Sequence, residues 1–332
     1  MPLSEEVLNI LPANIRTLVE SLPQDVQLSI EEIRLREGRP LMFCYDSGDF
    51  MVNSQGVPVK DSSTAYRVSS EDIRRMLHLL TKSSIYALEE ELKNGFITIS
   101  GGHRVGLTGR VVVEGGTVKT IRHIAGLNVR ILKDLHGVAD PIIPFLVDKK
   151  NKRIYDTLII SPPQCGKTTL LRDLVRQLSN GVTSQKLSGY KIGLVDERSE
   201  IAGCYEGVPQ LDIGVRTDVL DACPKASGMM MLLRSMSPQV IVVDEIGREE
   251  DVAAIGEVIN GGVSLIATAH ASNFEDLQKR PSLKILLDQN VFERLIVLGR
   301  SLGVGTLEEV IDLTCGNSLL SHPVLLRKKW GG

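Results

Sequence analysis

The sequence lacks several features that would assign it to a particular class of protein. No apolar run approaches the roughly 20 residues that a helix needs to span a bilayer. The formal net charge is −3, so the composition carries no global basic signature for nucleic-acid binding. The first residues are acidic and lack the basic and then apolar layout of a secretory signal peptide. We therefore expect a cytoplasmic protein without a transmembrane segment of its own.

Cysteine pairs are also missing. The five cysteines are scattered and form no C-x-x-C pair, which argues against a zinc site and against a disulfide framework. This pattern fits a reducing compartment. We interpret all of them except Cys165 as small buried hydrophobic residues; the five are Cys44, Cys165, Cys204, Cys223 and Cys315.

The length of 332 residues allows two domains, each with its own core. A polar run at residues 148–153 suggests a division into an α+β domain at residues 1–148 and a second domain at residues 149–332. The second domain alternates strands and helices, which predicts a doubly wound α/β sheet with ligands at the carboxyl ends of its strands. Its predicted strands are residues 157–160, 191–195, 239–243, 264–268 and 295–298, and its helices are 168–178, 226–236, 249–259 and 283–289.

The first domain is predicted from shorter signals. A helical spacing over residues 7–22 is interrupted by Pro12, and Ser69 with Asp72 indicates the capped start of a helix that ends at Leu80. Glycines within residues 101–110 indicate bulges or a close backbone approach. We also predict a helical stretch at residues 85–92 and strands at residues 30–35, 41–43, 96–100, 104–112 and 117–122, with a hairpin turn at 114–116.

The most informative stretch is a Gly-Lys-Thr loop between a predicted strand and a predicted helix. This arrangement is typical of the phosphate-binding loop of nucleoside triphosphatases, in which backbone N–H groups and the helix N-terminus bind an anion. Lys167 would reach the β- and γ-phosphates, and the Thr168 hydroxyl would bind Mg²⁺. The predicted nucleotide contacts are Ser161, Pro162, Pro163, Gln164, Cys165, Gly166, Lys167, Thr168 and Thr169.

Two carboxylates follow the predicted strand at residues 239–243. Asp244 would hold Mg²⁺, and Glu245 would polarise the water that attacks the γ-phosphate. A solvated strand end is the alternative. Because the pair follows a phosphate loop in the same predicted α/β domain, we favour the catalytic interpretation.

A second group of acidic residues follows the strand at residues 191–195. Asp196, Glu197 and Glu200 carry more negative charge than Arg198 can neutralise, which favours a bound cation or a basic partner. We take Glu197 as a catalytic candidate near the metal or the water. The alternative is an exposed turn with a local Arg–Glu pair.

Thr268 and His270 end a further predicted strand at the same edge. A neutral donor there would sense the γ-phosphate and relay its loss to the rest of the chain, so His270 is a catalytic candidate. A purely structural histidine is the alternative.

Arginines of the first domain provide a further set of candidates. An ATPase whose nucleotide lies at an interface needs positive charge from outside its own phosphate loop. The alternative is a set of surface charges. The candidate nucleotide contacts are Arg104, Arg110, Arg122 and Arg130.

The second domain resembles the secretion-superfamily ATPases, the hexameric motors of type II and type IV secretion and pilus assembly. Residues 233–248 follow that family's pattern of Leu-Arg, Pro, an apolar strand and an acidic end, with Asp244 where those motors have glycine. Residues 196–200 resemble their aspartate box, and residues 268–270 resemble their histidine box. The resemblance implies a RecA- or AAA-like P-loop ATPase that binds ATP and Mg²⁺ and assembles into a homo-oligomer, expected to be a hexamer.

The whole chain is similar to the stage III sporulation protein AA family of endospore-forming bacteria. Residues 99–110, 127–130, 195–203 and 243–247 carry this similarity, while Ser161 replaces that family's usual glycine. The resemblance implies a mother-cell cytoplasmic ATPase, peripheral to the membrane through membrane-embedded stage III sporulation proteins. It would power a channel complex that links mother cell and forespore.

Two alternatives remain open at this point. A nucleic-acid-dependent NTPase would draw on the basic and aromatic run at residues 327–330, although the chain has no basic domain. A non-catalytic assembly subunit that binds nucleotide only to hold its shape is supported by the change at Ser161 alone.

Overall fold

The computed structural model describes residues 3–45, 48–81, 92–93, 95–185 and 187–326. The chain folds as two compact units, Met1–Lys133 and Asp134–Gly332. The predicted helical stretch at residues 85–92 lies almost entirely outside the described residues, as does the basic run at 327–330. No helix in the described ranges is long and apolar enough to cross a membrane.

The first unit contains an antiparallel sheet that packs against short helices. Its strands follow the order β4-β3-β2-β1-β7-β6-β5, and alternate residues of the central strands, such as Ile33 and Leu35, are fully buried. The strands are β1 Glu32–Arg36, β2 Met42–Tyr45, β3 Gly48–Val52, β4 Pro58–Val59, β5 Phe96–Thr98, β6 Arg104–Glu114 and β7 Thr117–Arg130; the helices are Glu5–Ile10, Ala13–Glu20, Gln24–Ser29 and Ser70–Leu80.

Local sequence signals explain several of these boundaries. Pro12 separates the first two helices, because it has no N–H to continue a helix and suits the start of the next one. Ser69 and Asp72 form the predicted capping box, in which each side chain accepts a backbone N–H of the other residue. Gly109 lies where β6 and β7 lose their regular register, and a Cβ there would lie 2.7 Å from the carbonyl oxygen of His123. The predicted glycine bulge is therefore confirmed.

The second unit is built on a larger mixed sheet in the order β14-β13-β15-β16-β10-β17-β18-β19, with β20 paired to β18. The strands from β14 to β17 are parallel, and β18, β19 and β20 add antiparallel pairs at one edge. Two small antiparallel pairs, β8–β9 and β11–β12, lie apart from it. The strands are β8 Val147–Asp148, β9 Arg153–Ile154, β10 Thr157–Ser161, β11 Gly181–Val182, β12 Leu187–Ser188, β13 Ile192–Asp196, β14 Thr217–Asp221, β15 Val240–Val243, β16 Ser264–His270, β17 Arg294–Gly299, β18 Thr306–Asp312, β19 Asn317–Ser318 and β20 Val324–Leu325.

Helices cover both faces of this sheet. Ile159 of β10 packs in one core with the helix Lys167–Asn180, while its neighbours Leu158 and Ile160 pack in another core with the helices on the opposite face. The short parallel strands are consequently apolar on both sides, as the sequence pattern predicted. The doubly wound α/β fold is confirmed. The other helices are Ile143–Leu146, Lys225–Ser235, Glu249–Asn260, Phe274–Gln278 and Pro281–Asp288.

The segment before the predicted domain boundary at residue 148 packs with the second unit. The N–H of Ala139 donates to Asp173 at 2.8 Å, and Gln177 donates to Asp140 at 2.7 Å. Asp173 and Gln177 belong to the helix Lys167–Asn180. These hydrogen bonds explain why the compact unit begins at Asp134.

The cysteines are free thiols in different environments. Cys165 and Cys204 are buried, Cys44 and Cys223 are half-buried, and Cys315 is exposed. The prediction of a buried residue is confirmed for Cys204, while Cys44 and Cys223 are only half-buried. It was wrong for Cys315, which lies in the short turn between β18 and β19.

Candidate functional site

The order of the parallel strands brings the predicted site residues to one edge of the sheet. Strand β16 lies between β10, which leads into the Gly-Lys-Thr loop, and β15, which leads into Asp244 and Glu245. Parallel strands end at the same edge, so His270 at the end of β16 lies between the loop and the acidic pair. The sequence predicted the three segments, and the topology explains why they meet.

The Gly-Lys-Thr loop has the backbone of an anion-binding turn. Gln164 and Gly166 adopt φ angles of +58° and +81°, and the helix Lys167–Asn180 begins directly after Gly166. Alternation of left-handed residues with helical ones turns successive N–H groups toward a common centre. Ser161, which replaces the usual glycine, is buried and donates its hydroxyl to the Pro162 carbonyl at 2.8 Å.

Lys167 is held at the same edge by groups from β16. Its side chain is 8% exposed, and Nζ lies 3.2 Å from the carbonyl oxygen of Ala269 and 3.3 Å from Nδ1 of His270. Burial lowers the pKa of the Lys167 ammonium, and the negative charges of Glu245 and Asp244 oppose that shift. Lys167 therefore lies close enough to Glu245 and Asp244 for their negative charges to stabilise its ammonium, as the sequence analysis predicted.

His270 bridges Lys167 and Glu245. Its Nε2 lies 3.0 Å from Oε1 of Glu245, opposite the nitrogen that faces the lysine. An ammonium only donates and a carboxylate only accepts, so the tautomer that satisfies both carries its hydrogen on Nε2. Oε2 of Glu245 is bound at 2.9 Å by Nη1 of Arg198. Both oxygens of this carboxylate are thus engaged by side chains of the protein.

Thr268 fixes the backbone at Glu245. Its hydroxyl accepts the N–H of Glu245 at 2.8 Å, and its carbonyl accepts the N–H of Ile246 at 2.8 Å. Glu245 has a φ angle of +45°, a left-handed conformation that is strained for a glutamate. Because Thr268 is fully buried, it acts by positioning Glu245.

Asp244 is a buried carboxylate that fits a divalent cation. Its Oδ1 has no hydrogen-bond partner among the described residues. Burial raises the pKa of Asp244 to about 6, and the charge of Asp196 acts in the same direction. Within the described ranges, no group of three or more His, Cys, Asp or Glu side chains would hold a metal ion by itself. Magnesium commonly uses one or two protein ligands together with substrate phosphates, which this donor set matches.

Asp196 has a structural role in the acidic turn. Its carboxylate is fully buried and accepts the N–H groups of Glu200, Ile201 and Ala202 at 2.9, 3.0 and 2.9 Å. The guanidinium of Arg172, from the helix after the phosphate loop, binds the carbonyls of Ile201 and Glu200 at 2.6 and 2.7 Å. The turn is therefore fastened to that helix.

Glu197 lies among basic side chains. It forms ion pairs with Lys225 and, at 3.8 Å, with Arg248. Arg198, which follows β13, forms its ion pair with Glu245, which follows β15. The alternative of a local Arg–Glu pair within the turn is therefore wrong for Arg198. The catalytic role of Glu197 stays a prediction.

The four arginines of the first unit form two cross-strand pairs. Arg104 lies opposite Arg130, and Arg110 lies opposite Arg122, in the β6–β7 ribbon. Arg110, Arg122 and Arg130 are exposed, and the guanidinium of Arg104 lies 4.5 Å from the centre of the Phe96 ring. Their predicted contact with nucleotide stays a prediction.

Sequence reasoning missed two basic residues near the site. Lys225 is the first residue of the helix Lys225–Ser235, where the positive end of the helix dipole disfavours a positive charge. This unfavourable position indicates in the sequence that its ammonium binds an acidic group elsewhere. Arg300 follows β17, the strand beside β10, and donates to the carbonyls of Gln164 and Pro163 at 2.9 and 3.3 Å.

Known proteins are similar to this chain in sequence and in fold. The chain is 47% identical to stage III sporulation protein AA of Bacillus subtilis (strain 168) over 307 residues, 92% of this chain and 94% of that protein. Its fold is similar to the ATPase DotB of Legionella pneumophila, with a TM-score of 0.51 and 17% identity over 85% of this chain and 74% of that one. It is also similar to the pilus retraction motor PilT with bound ADP, with a TM-score of 0.52 and 16% identity over 82% and 75%. These likenesses identify a secretion-ATPase fold. The family model for sporulation stage III, protein AA matches residues 1–317, and the chain belongs to that family.

Proposed function

We propose that this protein binds and hydrolyses ATP as a motor of the secretion-ATPase type. The observation that carries the proposal is the chain of contacts from Lys167 through His270 to Glu245, beside the unpartnered oxygen of Asp244. Solved proteins with this fold include the ATPase DotB and the pilus retraction motor PilT with bound ADP, which supports the same chemistry.

ATP would bind with its phosphates in the turn of residues 161–169. The ammonium of Lys167 would exchange the carbonyl of Ala269 and the ring of His270 for phosphate oxygens. Mg²⁺ would be held by the Thr168 hydroxyl and Asp244, and it would neutralise charge on the phosphate oxygens.

Glu245 would act as the group that orients the attacking water. In the arrangement described above, its carboxylate is bound by Arg198 and His270. Each carboxylate oxygen can accept two hydrogen bonds, so the attacking water would bind Glu245 beside the groups of Arg198 and His270. The turn that carries Arg198 is fastened to the phosphate-loop helix by Arg172.

The wider role follows from the family. We propose a homo-oligomeric ring, a hexamer, in the mother-cell cytoplasm, peripheral to the membrane through membrane-embedded stage III sporulation proteins. Arginines of the first unit of a neighbouring subunit would complete the nucleotide site. Motion would arise because ATP and ADP stabilise different conformations by different amounts.

The proposal is tested by magnesium-dependent ATP turnover and by mass measurement with and without a non-hydrolysable ATP analogue. Turnover together with a larger assembly in the analogue supports a motor. Turnover that depends on added single-stranded nucleic acid would favour the alternative NTPase. Absence of both binding and turnover would overturn the proposal.

Asp244→Asn should change stability as well as metal binding. A buried carboxylate with a pKa of about 6 binds a proton in the folded state before it does so in the unfolded state, so stability falls as pH rises from about 4 through 6. Between pH 5 and pH 8, the free energy of unfolding of the original protein should fall by about 1 kcal/mol more than that of the Asp244→Asn variant. Urea unfolding at both pH values measures this difference.

The Asp244→Asn variant also tests Mg²⁺ binding without a measurement of ATP hydrolysis. Mg²⁺ with the ATP analogue should raise the melting temperature of the original protein and should raise that of the Asp244→Asn variant much less. Asp218→Asn, an exposed change in the same unit, is the matched control. Equal stabilisation of both variants by Mg²⁺ would contradict the assignment of Asp244.

A further inference from the structure

The loop at residues 300–305 lies directly against the phosphate loop. It connects β17 to β18, and Arg300 at its start binds the carbonyls of Gln164 and Pro163. A Cβ placed on Gly166 would lie 3.8 Å from the Cα of Gly305 at its other end. Both ends of the loop therefore contact or approach the turn that we assign to the phosphates.

The loop is fixed by its own hydrogen bonds. The buried hydroxyl of Thr306 donates to the carbonyl of Gly303 at 2.7 Å and accepts the N–H of Leu302 at 3.2 Å. Ser301 is bound through both its N–H and its hydroxyl to Glu308. The conformation is thus set by polar contacts and does not depend on burial of apolar side chains.

Two large apolar side chains of this fixed loop are nevertheless exposed. Leu302 is 57% exposed and Val304 is 50% exposed. Single exposed apolar residues are ordinary on protein surfaces. Two of them on a short rigid loop, next to an anion-binding turn, indicate a surface for the apolar part of the same ligand.

The topology gives the direction in which that ligand extends. Strand β10 has β16 on one side and β17 on the other. His270 and Glu245, the groups assigned to the γ-phosphate and the water, lie on the β16 side. A nucleotide held with its γ-phosphate toward β16 must direct its nucleoside away from β16, and the loop at residues 300–305 follows the strand on that side.

We infer that the loop at residues 300–305 is the nucleoside subsite, with Leu302 and Val304 packed against the base of the bound nucleotide. This inference rests on the proposed function, because it takes the phosphate position from it. Arg300 has a separate part in the site. It binds two outward-facing carbonyls of the phosphate loop and so holds the N–H groups on the other edge of those peptides toward the anion.

The test compares ATP with inorganic tripolyphosphate, both with Mg²⁺. In Leu302→Ser/Val304→Ser, ATP affinity should fall about tenfold or more, because the base loses its apolar contacts. Tripolyphosphate affinity should stay unchanged, since it has no base. Arg300→Ala should weaken both ligands by a similar factor. Calorimetry, or competition with a fluorescent nucleotide, measures these affinities on the full chain.

Val215→Ser is the matched control, because Val215 is an apolar residue of the same unit that is 82% exposed. It should leave both affinities unchanged. An equal loss of both ligands in the Leu302/Val304 variant, or no loss of ATP affinity, would overturn the nucleoside subsite and leave the proposed ATPase in place. Failure of the original protein to bind either ligand would overturn the proposed function and this inference together.

Discussion

Lys167→Ala should abolish ATP hydrolysis and strongly weaken ATP binding. The lysine supplies the one ammonium that the phosphate loop carries, and its loss leaves the β- and γ-phosphates without that charge in a largely buried position. We expect ATP affinity to fall by about two orders of magnitude or more, which corresponds to roughly 3 kcal/mol. Calorimetric titration with ATP and Mg²⁺, together with a phosphate-release assay, measures both effects.

The folded state should tolerate this change. Burial lowers the pKa of Lys167, which means that the charged form is disfavoured by its surroundings. Alanine removes that desolvated charge, so thermal unfolding should be little affected. Lys284→Ala, an exposed lysine of the helix Pro281–Asp288, is the control and should bind ATP normally. Normal turnover by the Lys167→Ala variant would remove the assigned site.

Glu245→Gln should separate binding from hydrolysis. Glutamine keeps the shape of the side chain and an oxygen for Arg198 or His270, but it cannot take a proton from water. Turnover should fall by about 10²- to 10⁴-fold, the usual effect of losing a general base, while ATP remains bound. Chromatography of the nucleotide released from the denatured protein distinguishes trapped ATP from ADP.

A matched exposed change provides the comparison for this experiment. Glu257→Gln in the helix Glu249–Asn260 should turn over ATP at the original rate. Two results would oppose the assignment of Glu245: unchanged hydrolysis in the Glu245→Gln variant, or a loss of ATP binding as large as the loss of turnover. The second would mean that the carboxylate acts mainly by ordering the neighbouring side chains.

The sequence predicted the centre of the α/β sheet well, because these strands are short apolar runs covered on both faces. The strand at residues 239–243 and the one at 264–268 differ from β15 and β16 by only one or two residues at an end. The edge strand β14 and the antiparallel strand β18 were missed. Their burial is partial and their sequences include charged residues, so they carry no continuous apolar signal.

The candidate site was predictable only in part. Lys167, Asp244 and Glu245 were predicted as site residues because each belongs to a strong local motif. The partners of Arg198 and Arg300 were not, since each contact joins residues far apart in the chain and depends on the order of the strands. Likewise, nothing in the sequence around Asp196 reveals that its carboxylate serves its own turn, because the three donors are backbone N–H groups.

Strand β16 connects the two sides of the site through consecutive residues. Thr268 holds the main chain of Glu245, while Ala269 and His270 hold the lysine. Departure of the ammonium toward a phosphate would therefore free Nδ1 of His270, while Thr268 would still hold the backbone of Glu245. Nucleotide binding should therefore change the contacts of the His270 ring first, while the hydrogen bonds between β15 and β16 stay in place. Magnetic resonance of the His270 ring nitrogens should thus respond to nucleotide while amide signals of β15 and β16 stay nearly constant.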